Sequence, residues 1–136
     1  MSKQTETERY KSGMTVRRQV VGDEYVDKAL AEADGFTEAL QDYVTEFCWG
    51  VVWTRPGLDL RTRSLVNLGI LASRGQSQEL GSHTRGALRN GATVSEIQEV
   101  LLQVAVYAGT PTALEAFRAA HPAVLEWQAQ TEVQDG

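Results

Sequence analysis

The sequence predicts an all-α protein, a single-domain bundle of about six to seven helices spanning residues 1–136. Two observations support this prediction. No segment alternates between apolar and polar residues as a half-buried strand does, and no Asn-Gly pair lies between strand-like runs. Capping residues, glycines and prolines divide the chain into segments of helical length. A chain of 136 residues is long enough to bury one sizeable core.

Three helices are predicted in the first part of the chain. The first spans residues 5–21, after a frayed stretch at residues 1–4, and Gly13 weakens its middle. Gly22 breaks this helix, and a short second helix follows through Ala33.

The third helix is expected over residues 36–53, with Asp34 or Thr37 as its N-cap. Pro56 ends it, because the residue before a proline is disfavoured in the α conformation.

The fourth and fifth helices also have recognisable ends. Asp59 is a plausible N-cap for a helix that runs to Arg74, and Gly75 fits the C′ position that follows. The fifth helix is expected over residues 77–89, and Asn90 closes it together with the next glycine.

Thr93 and Glu96 have the spacing of a capping box, which predicts a sixth helix over residues 94–108. This helix is apolar around most of its surface, so we expect it in a core or a subunit interface. Pro111 fits the first turn of a seventh helix, and Pro122 is expected to kink or divide that helix.

Composition limits the functional classes. Hydrophobic residues make up 42% and charged residues 23% of the chain, and the net charge of −5 argues against a nucleic-acid partner. No apolar run approaches the roughly 20 residues of a membrane helix. The N-terminus lacks the apolar core of a secretory signal, and the single cysteine, Cys48, cannot form an internal disulfide. We therefore expect a cytoplasmic protein with no membrane partner.

The most informative segment is the fifth helix, which carries His83, one of two histidines. Glu79 lies one helical turn before it and could orient the imidazole and tune its pKa. Asn90 shares this face, while Arg85 and Arg89 would suit an anionic ligand. Leu80, Ala87 and Leu88 form an apolar stripe beside the histidine. The alternative is a surface ion pair that contributes a few tenths of a kcal/mol.

Trp49 and Trp53 are four residues apart and face the same way. Core packing explains this pair more readily than ligand binding does. Arg55, in the adjoining turn, is less easily explained by packing and could clamp a carboxylate.

Other arginines are weaker candidates. Arg17 and Arg18 form a basic pair, and most such pairs lie on solvated helix faces. Arg61 is expected to lie on a solvated face as well. Arg63 has apolar neighbours on its helix and is therefore a better candidate for ligand binding than Arg61. Nothing in the sequence has the spacing of a zinc site, a phosphate loop or a nucleophile elbow, so we expect no metal or nucleotide cofactor.

Motifs in one order cover nearly the whole chain. They are Glu8-Arg-Tyr10, Gly13-Met-Thr-Val-Arg-Arg18, Val21-Gly-Asp-Glu-Tyr-Val26, Trp49-Gly50, Trp53-Thr-Arg-Pro-Gly-Leu-Asp59, Arg61-Thr-Arg-Ser64, Glu79-Leu80, His83, Arg85, Ala87-Leu-Arg-Asn-Gly91, Glu96-Ile97, Glu99-Val-Leu-Leu-Gln103, Tyr107, Gly109 and Pro111. In these motifs the chain resembles the carboxymuconolactone decarboxylase family, and in particular its 4-carboxymuconolactone decarboxylase branch.

The resemblance implies the helical bundle of the alkyl hydroperoxidase D-like superfamily. Members of the peroxidase branch carry a Cys-x-x-Cys before the histidine. Gln76 and Glu79 stand at those two positions here, and Ser64 stands where that branch has a glutamate. A disulfide redox cycle is therefore not expected.

The implied activity is decarboxylation of 4-carboxymuconolactone to 3-oxoadipate enol-lactone and carbon dioxide, in protocatechuate (β-ketoadipate) catabolism. The lactone is its own electron sink, so no cofactor is implied. His83 would be the proton donor or oxyanion donor and Glu79 its partner. The expected substrate-binding residues are Arg55, Arg85, Arg89, Arg63, Trp49, Trp53, Tyr107, Arg17 and Arg18.

The resemblance also implies a homo-oligomer, commonly a trimer or hexamer. Residues 1–22 would then form an N-terminal arm on a neighbouring subunit, where Arg17 and Arg18 could complete that neighbour's site.

Two departures keep alternatives open. Val51 stands where the branch often has an acidic residue, and Leu114 stands where a polar residue is common. A paralogue acting on another unsaturated lactone or a β-keto-type acid is one alternative. A non-catalytic oligomeric protein that binds an anionic ligand is another.

Overall fold

The computed structural model describes the backbone of residues 6–135 and the side chains of residues 6–133; the predicted frayed stretch lies outside this range. Every regular element in this range is helical, which confirms the all-α prediction. The α helices are α1 (Glu8–Val21), α2 (Asp23–Glu32), α3 (Glu38–Tyr43), α4 (Leu60–Ser73), α5 (Ser77–Arg89), α6 (Val94–Ala108) and α7 (Thr110–Asp135), and a π helix spans Val44–Trp53.

The chain folds into two compact units. The first, Met1–Leu58, holds α1 to α3 and the π helix, and the second, Asp59–Gly136, holds α4 to α7. The organisation of residues 1–136 as one domain stays a prediction.

In the first unit, α1 begins at Glu8, three residues later than predicted. Thr7 causes this start, because its hydroxyl accepts a hydrogen bond from the Tyr10 amide and caps the helix. Gly22 separates α1 from α2 with a φ of 91°, a conformation that residues with a side chain rarely adopt.

The predicted third helix is two different helices. Asp34 caps the turn before it, because its carboxylate accepts from the amides of Phe36 and Thr37. These hydrogen bonds to the charged form lower the pKa of Asp34. The chain is α-helical from Glu38 to Tyr43 and then continues as a π helix, whereas the sequence pattern predicts one α helix over the whole segment.

The backbones of α1 and the π helix touch at two glycines. A Cβ atom at Gly13 would lie 2.7 Å from the Gly50 amide nitrogen and closer still to the Thr45 carbonyl. A Cβ atom at Gly50 would meet the carbonyl group of Arg9. Gly13 therefore allows a close helix crossing, besides weakening α1 as predicted. The described part of the predicted N-terminal arm, residues 6–22, thus packs on its own chain, and its contact with a neighbouring subunit stays a prediction.

In the second unit, the predicted helix ends are largely confirmed. The Asp59 carboxylate accepts from the Thr62 amide at 2.7 Å, and Gly75 follows α4 with a φ of 70°. Thr93 and Glu96 form the expected capping box. Glu96 also pairs with Arg61, which links the start of α6 to α4.

The core of the second unit draws on all four of its helices. Its buried members are Leu68, Ala72, Leu80, Ala87, Leu88, Ala92, Ile97, Leu101, Val104, Ala116 and Ala120. Alanines on α7 let that helix approach α5, where a Cβ atom at Gly81 would lie 3.3 Å from the Ala119 carbonyl oxygen.

The structure bears on two expectations for the last helices. The helix α7 continues through Pro122, so this proline does not divide it. The helix α6 buries Ile97, Leu101 and Val104, but its opposite side exposes apolar residues such as Val106. Among the described residues, no helix is long and apolar enough to cross a membrane.

Candidate active site

His83 lies at the margin of the buried face of α5, as the apolar stripe predicted. Leu80, Ala87 and Leu88 are buried, His83 is partly buried, and Glu79 is exposed one turn earlier. Burial lowers the pKa of His83 to about 4, because removal from water disfavours the charged imidazolium. The charge of Glu79 opposes this effect but does not overcome it.

A pKa of about 4 means that the His83 ring is neutral at pH 7. A neutral imidazole has one N–H donor and one acceptor nitrogen. It can therefore donate a hydrogen bond to a developing oxyanion, whereas proton donation as imidazolium requires its pKa to rise first. A bound anion near the ring would raise that pKa.

The arginines near His83 in sequence differ in exposure. Arg63, on α4, is partly buried, and Arg89 is exposed in the last turn of α5. Arg85 is also exposed, and its Nε atom donates to a Glu126 carboxylate oxygen at 3.1 Å. An exposed ion pair of this kind contributes about 1 kcal/mol or less, so the side chain of Arg85 can exchange this partner for a ligand.

A polar pair connects the end of α5 to α4. The side-chain amide of Asn90 donates to the hydroxyl of Ser64 at 3.2 Å, and Ser64 is completely buried. The helical spacing predicts Asn90 on the face of His83, but its hydrogen-bond partner Ser64 was not predicted. The signal was present, because Ser64 was singled out as the position of a glutamate in the peroxidase branch.

Tyr107 lies at the C-terminal end of α6, and its side chain is 83% exposed. A shallow depression lies at the start of α5 and does not include His83. Its lining residues are Leu71, Ala72, Gly75, Gln76, Ser77, Leu80, Glu115 and Ala116.

The candidates of the first unit centre on the π helix. Trp49 is buried and Trp53 partly buried, and their rings stack with centroids 4.7 Å apart and planes inclined by 27°. The expectation that they face the same way is confirmed. Arg55 is exposed in the turn after the π helix.

The two arginines of α1 have different environments. Arg17 is only 5% exposed, and it donates to the Thr45 hydroxyl at 3.1 Å and to the Gln41 side-chain oxygen at 2.9 Å. Arg18 pairs on the surface with Asp23 and Asp27, and the hydrogen bonds that it donates to these carboxylates raise its pKa. Both arginines are thus bound to groups of their own unit.

The family model for the carboxymuconolactone decarboxylase family matches residues 38–122. This match covers more than half of the chain. The chain belongs to the carboxymuconolactone decarboxylase family. The matched segment contains every candidate residue from Trp49 to Tyr107 but neither Arg17 nor Arg18.

Two relatives cover most of the chain. The sequence is 50% identical over 107 residues to the nitrosuccinic acid decarboxylase of Metarhizium robertsii. These residues are 79% of this chain and 75% of the relative. The sequence is 39% identical over 113 residues to the 4-carboxymuconolactone decarboxylase of Acinetobacter baylyi, covering 83% and 84%. As a member of this family, the present protein is a carboxy-lyase.

Among residues 6–133, no group of three or more histidine, cysteine, aspartate and glutamate side chains is arranged to hold a metal ion. The roles of the individual candidate residues in this carboxy-lyase stay predictions.

Proposed function

We propose that this protein decarboxylates a small dicarboxylic acid that carries its own electron sink, without a cofactor. Membership of the decarboxylase family, combined with a partly buried and neutral histidine, supports this proposal. A neutral N–H donor in a water-poor environment is suited to a developing oxyanion, because its hydrogen bond strengthens as charge accumulates there.

The substrates in the names of the two relatives share this chemistry. In 4-carboxymuconolactone, the departing carboxylate is on the ring carbon γ to the lactone carbonyl, and electrons pass through the ring double bond to that carbonyl. In nitrosuccinic acid, one carboxylate is on the carbon that carries the nitro group, so electrons pass directly to the nitro oxygens. Both molecules carry a second carboxylate.

The same reaction sequence applies to both substrates. The bond to the departing carboxylate breaks, its electron pair moves to the oxygen of the sink, and carbon dioxide leaves. A proton then adds to carbon, at the α-carbon of the lactone or at the carbon next to the nitro group. In the proposal, His83 donates its hydrogen bond to the oxygen of the sink and Glu79 supports the ring orientation.

Arginines are proposed to bind the carboxylates of the substrate. Arg63, Arg85 and Arg89 are the candidates in the unit that holds His83, and a guanidinium can bind a carboxylate through two hydrogen bonds. Substrate binding is also proposed for Arg55, Trp49, Trp53, Arg18 and Tyr107, whereas the buried Arg17 is proposed to act through the residues that it positions. Aromatic side chains would exclude water from the departing carboxylate.

Of the two substrates, nitrosuccinate is our first candidate. The sequence identity is 50% with the relative named for nitrosuccinic acid and 39% with the one named for the lactone. Val51 and Leu114 also depart from the pattern of the lactone branch, as the sequence analysis noted. 4-Carboxymuconolactone is the second candidate.

The test is release of carbon dioxide from each substrate by the purified protein. His83→Ala is the inactive reference, and His121→Ala, at the exposed second histidine, is the matched control. We expect nitrosuccinate to be turned over faster than the lactone, with His121→Ala retaining wild-type rates. If neither substrate releases carbon dioxide faster than with His83→Ala, the proposal is refuted.

A further inference from the structure

The change from α3 to the π helix is an unusual feature that needs stabilisation. In a π helix, each amide bonds to the carbonyl five residues earlier, and most examples in proteins are single turns. Here the π geometry extends over ten residues, Val44–Trp53. The transition lies between Tyr43 and Val44, in the middle of a continuous helical segment.

Arg17 binds both sides of this transition. Its Nη2 donates to the side chain of Gln41, in α3, and its Nη1 donates to the hydroxyl of Thr45, in the π helix. The Thr45 hydroxyl in turn donates to the Gln41 backbone carbonyl at 2.8 Å. Two hydrogen bonds thus connect α1 with the two residues that flank the change in helix type, and a third joins those two residues to each other.

Packing alone does not account for an arginine at this position. Among the described residues, no carboxylate lies within ion-pair distance of Arg17, and burial lowers the pKa of its guanidinium. An apolar side chain of similar size would fill the space without removing a charge from water. What the arginine adds is a rigid, planar fork of donors that reaches two acceptors at once.

The stacked tryptophans both lie in the π helix, with ring centroids 4.7 Å apart. A π helix has more residues in each turn than an α helix. A change of helix type would therefore rotate the positions of Trp49 and Trp53 relative to each other. Trp49 follows Thr45 by four residues and Trp53 follows Trp49 by four, so the residue that Arg17 binds begins this series.

We infer that Arg17 is a positioning residue that fixes the α-to-π transition through Gln41 and Thr45 and so holds Trp49 against Trp53. The stacked pair then forms a rigid aromatic face before substrate arrives. The use of this face by substrate rests on the proposed function, whereas the stacking itself does not.

The experiment compares Arg17→Lys with Arg9→Lys, because the second variant makes the same change at an exposed arginine of the same helix. Stacked indoles produce an exciton couplet in circular dichroism, and Trp53→Phe identifies the part of the spectrum that comes from the pair. Arg17→Lys should lose more than about half of this couplet and about tenfold or more in kcat, since small displacements at a site have large effects on rate. Arg9→Lys should retain both.

Thr45→Val provides a second variant of nearly equal size that removes the acceptor and leaves the arginine. It should weaken the couplet in the same direction as Arg17→Lys. A full couplet in both Arg17→Lys and Thr45→Val would overturn the inference. A couplet that depends on Arg17, in a protein that decarboxylates neither substrate, would support the positioning role and refute the proposed function.

Discussion

Replacing Gly13 with alanine tests the close contact between α1 and the π helix. The added methyl group would lie 2.7 Å from the Gly50 amide nitrogen and closer still to the Thr45 carbonyl oxygen. Real Cβ atoms essentially never approach another atom closer than 3.0 Å. The two obstructing groups are backbone, so the helices themselves must move apart.

Two opposing effects set the size of the change. Alanine is about 1 kcal/mol more favourable than glycine within a helix. Overpacking costs about 1–3 kcal/mol and occasionally more, and a clash between two backbones belongs at the upper end of that range. We therefore expect Gly13→Ala to lower the free energy of unfolding by about 2 kcal/mol, which corresponds to roughly 5–10 °C in Tm.

Gly69→Ala is the matched control, because Gly69 also lies inside a helix but has space beside it. Its Cβ atom would lie 3.7 Å from Val100 Cγ1, an ordinary contact, so this variant should gain about 0.5–1 kcal/mol. Chemical denaturation of both variants and the wild type, at one protein concentration, gives the comparison. If Gly13→Ala is as stable as Gly69→Ala, the close crossing described here is wrong.

The other predictions concern the site and the assembly. The pKa of His83 is about 4 in the folded chain and 6.5 ordinarily, so between these pH values only the unfolded chain binds the proton. The free energy of unfolding of the wild type should therefore fall by up to about 3 kcal/mol relative to that of His83→Gln as the pH is lowered through this range. Chemical denaturation at each pH measures this difference. His83→Ala should reduce kcat at least about a hundredfold, and His83→Gln should recover part of it by restoring an N–H donor; a loss under about tenfold would assign His83 a scaffold role. Arg55→Lys should raise KM more than Arg61→Lys does, because lysine cannot form a two-bonded clamp, and equal small effects in steady-state kinetics would make Arg55 a turn residue. Sedimentation of the full chain should reveal a homo-oligomer, and an active monomer would contradict this expectation.

Helix ends were predictable where the responsible interactions are local. The capping box of Thr93 and Glu96, the Asp59 cap and the bounds of α5 depend on residues within a few positions of one another. Sequence patterns contain this information directly. The start of α1 was missed by three residues, and only the structure shows that the Thr7 hydroxyl accepts a hydrogen bond from the Tyr10 amide.

The π helix and its partner were not predictable in the same way. The apolar pattern of residues 36–53 fits an α helix, and a shift to a π helix changes the hydrogen bonds without changing that pattern. The two glycines at the crossing are 37 positions apart in the sequence, and nothing in one sequence links Gly13 with Gly50. The burial of Arg17 depends on this same long-range contact, so its pattern indicated a solvated surface instead.

For the candidate site, the sequence predicted where His83 lies on its helix but not how its surroundings change its pKa. The spacing of Leu80, Ala87 and Leu88 correctly placed His83 beside a buried face. It could not give the lowered pKa, because that value depends on how completely neighbouring helices exclude water from the ring. The hydrogen bond between Asn90 and Ser64 likewise joins two helices, and the sequence contains only its separate halves.

The short connection between α5 and α6 has a practical consequence for engineering this chain. Asn90 at its start binds Ser64, and Thr93 at its end shares Glu96 with Arg61, so both ends are connected to α4. An inserted peptide, a fluorescent label or a permuted terminus at this connection would break interactions that hold the histidine-bearing helix in place. The exposed turn at Pro56 and Gly57 has no Cβ obstruction at its glycine, and it is a better position for such an insertion.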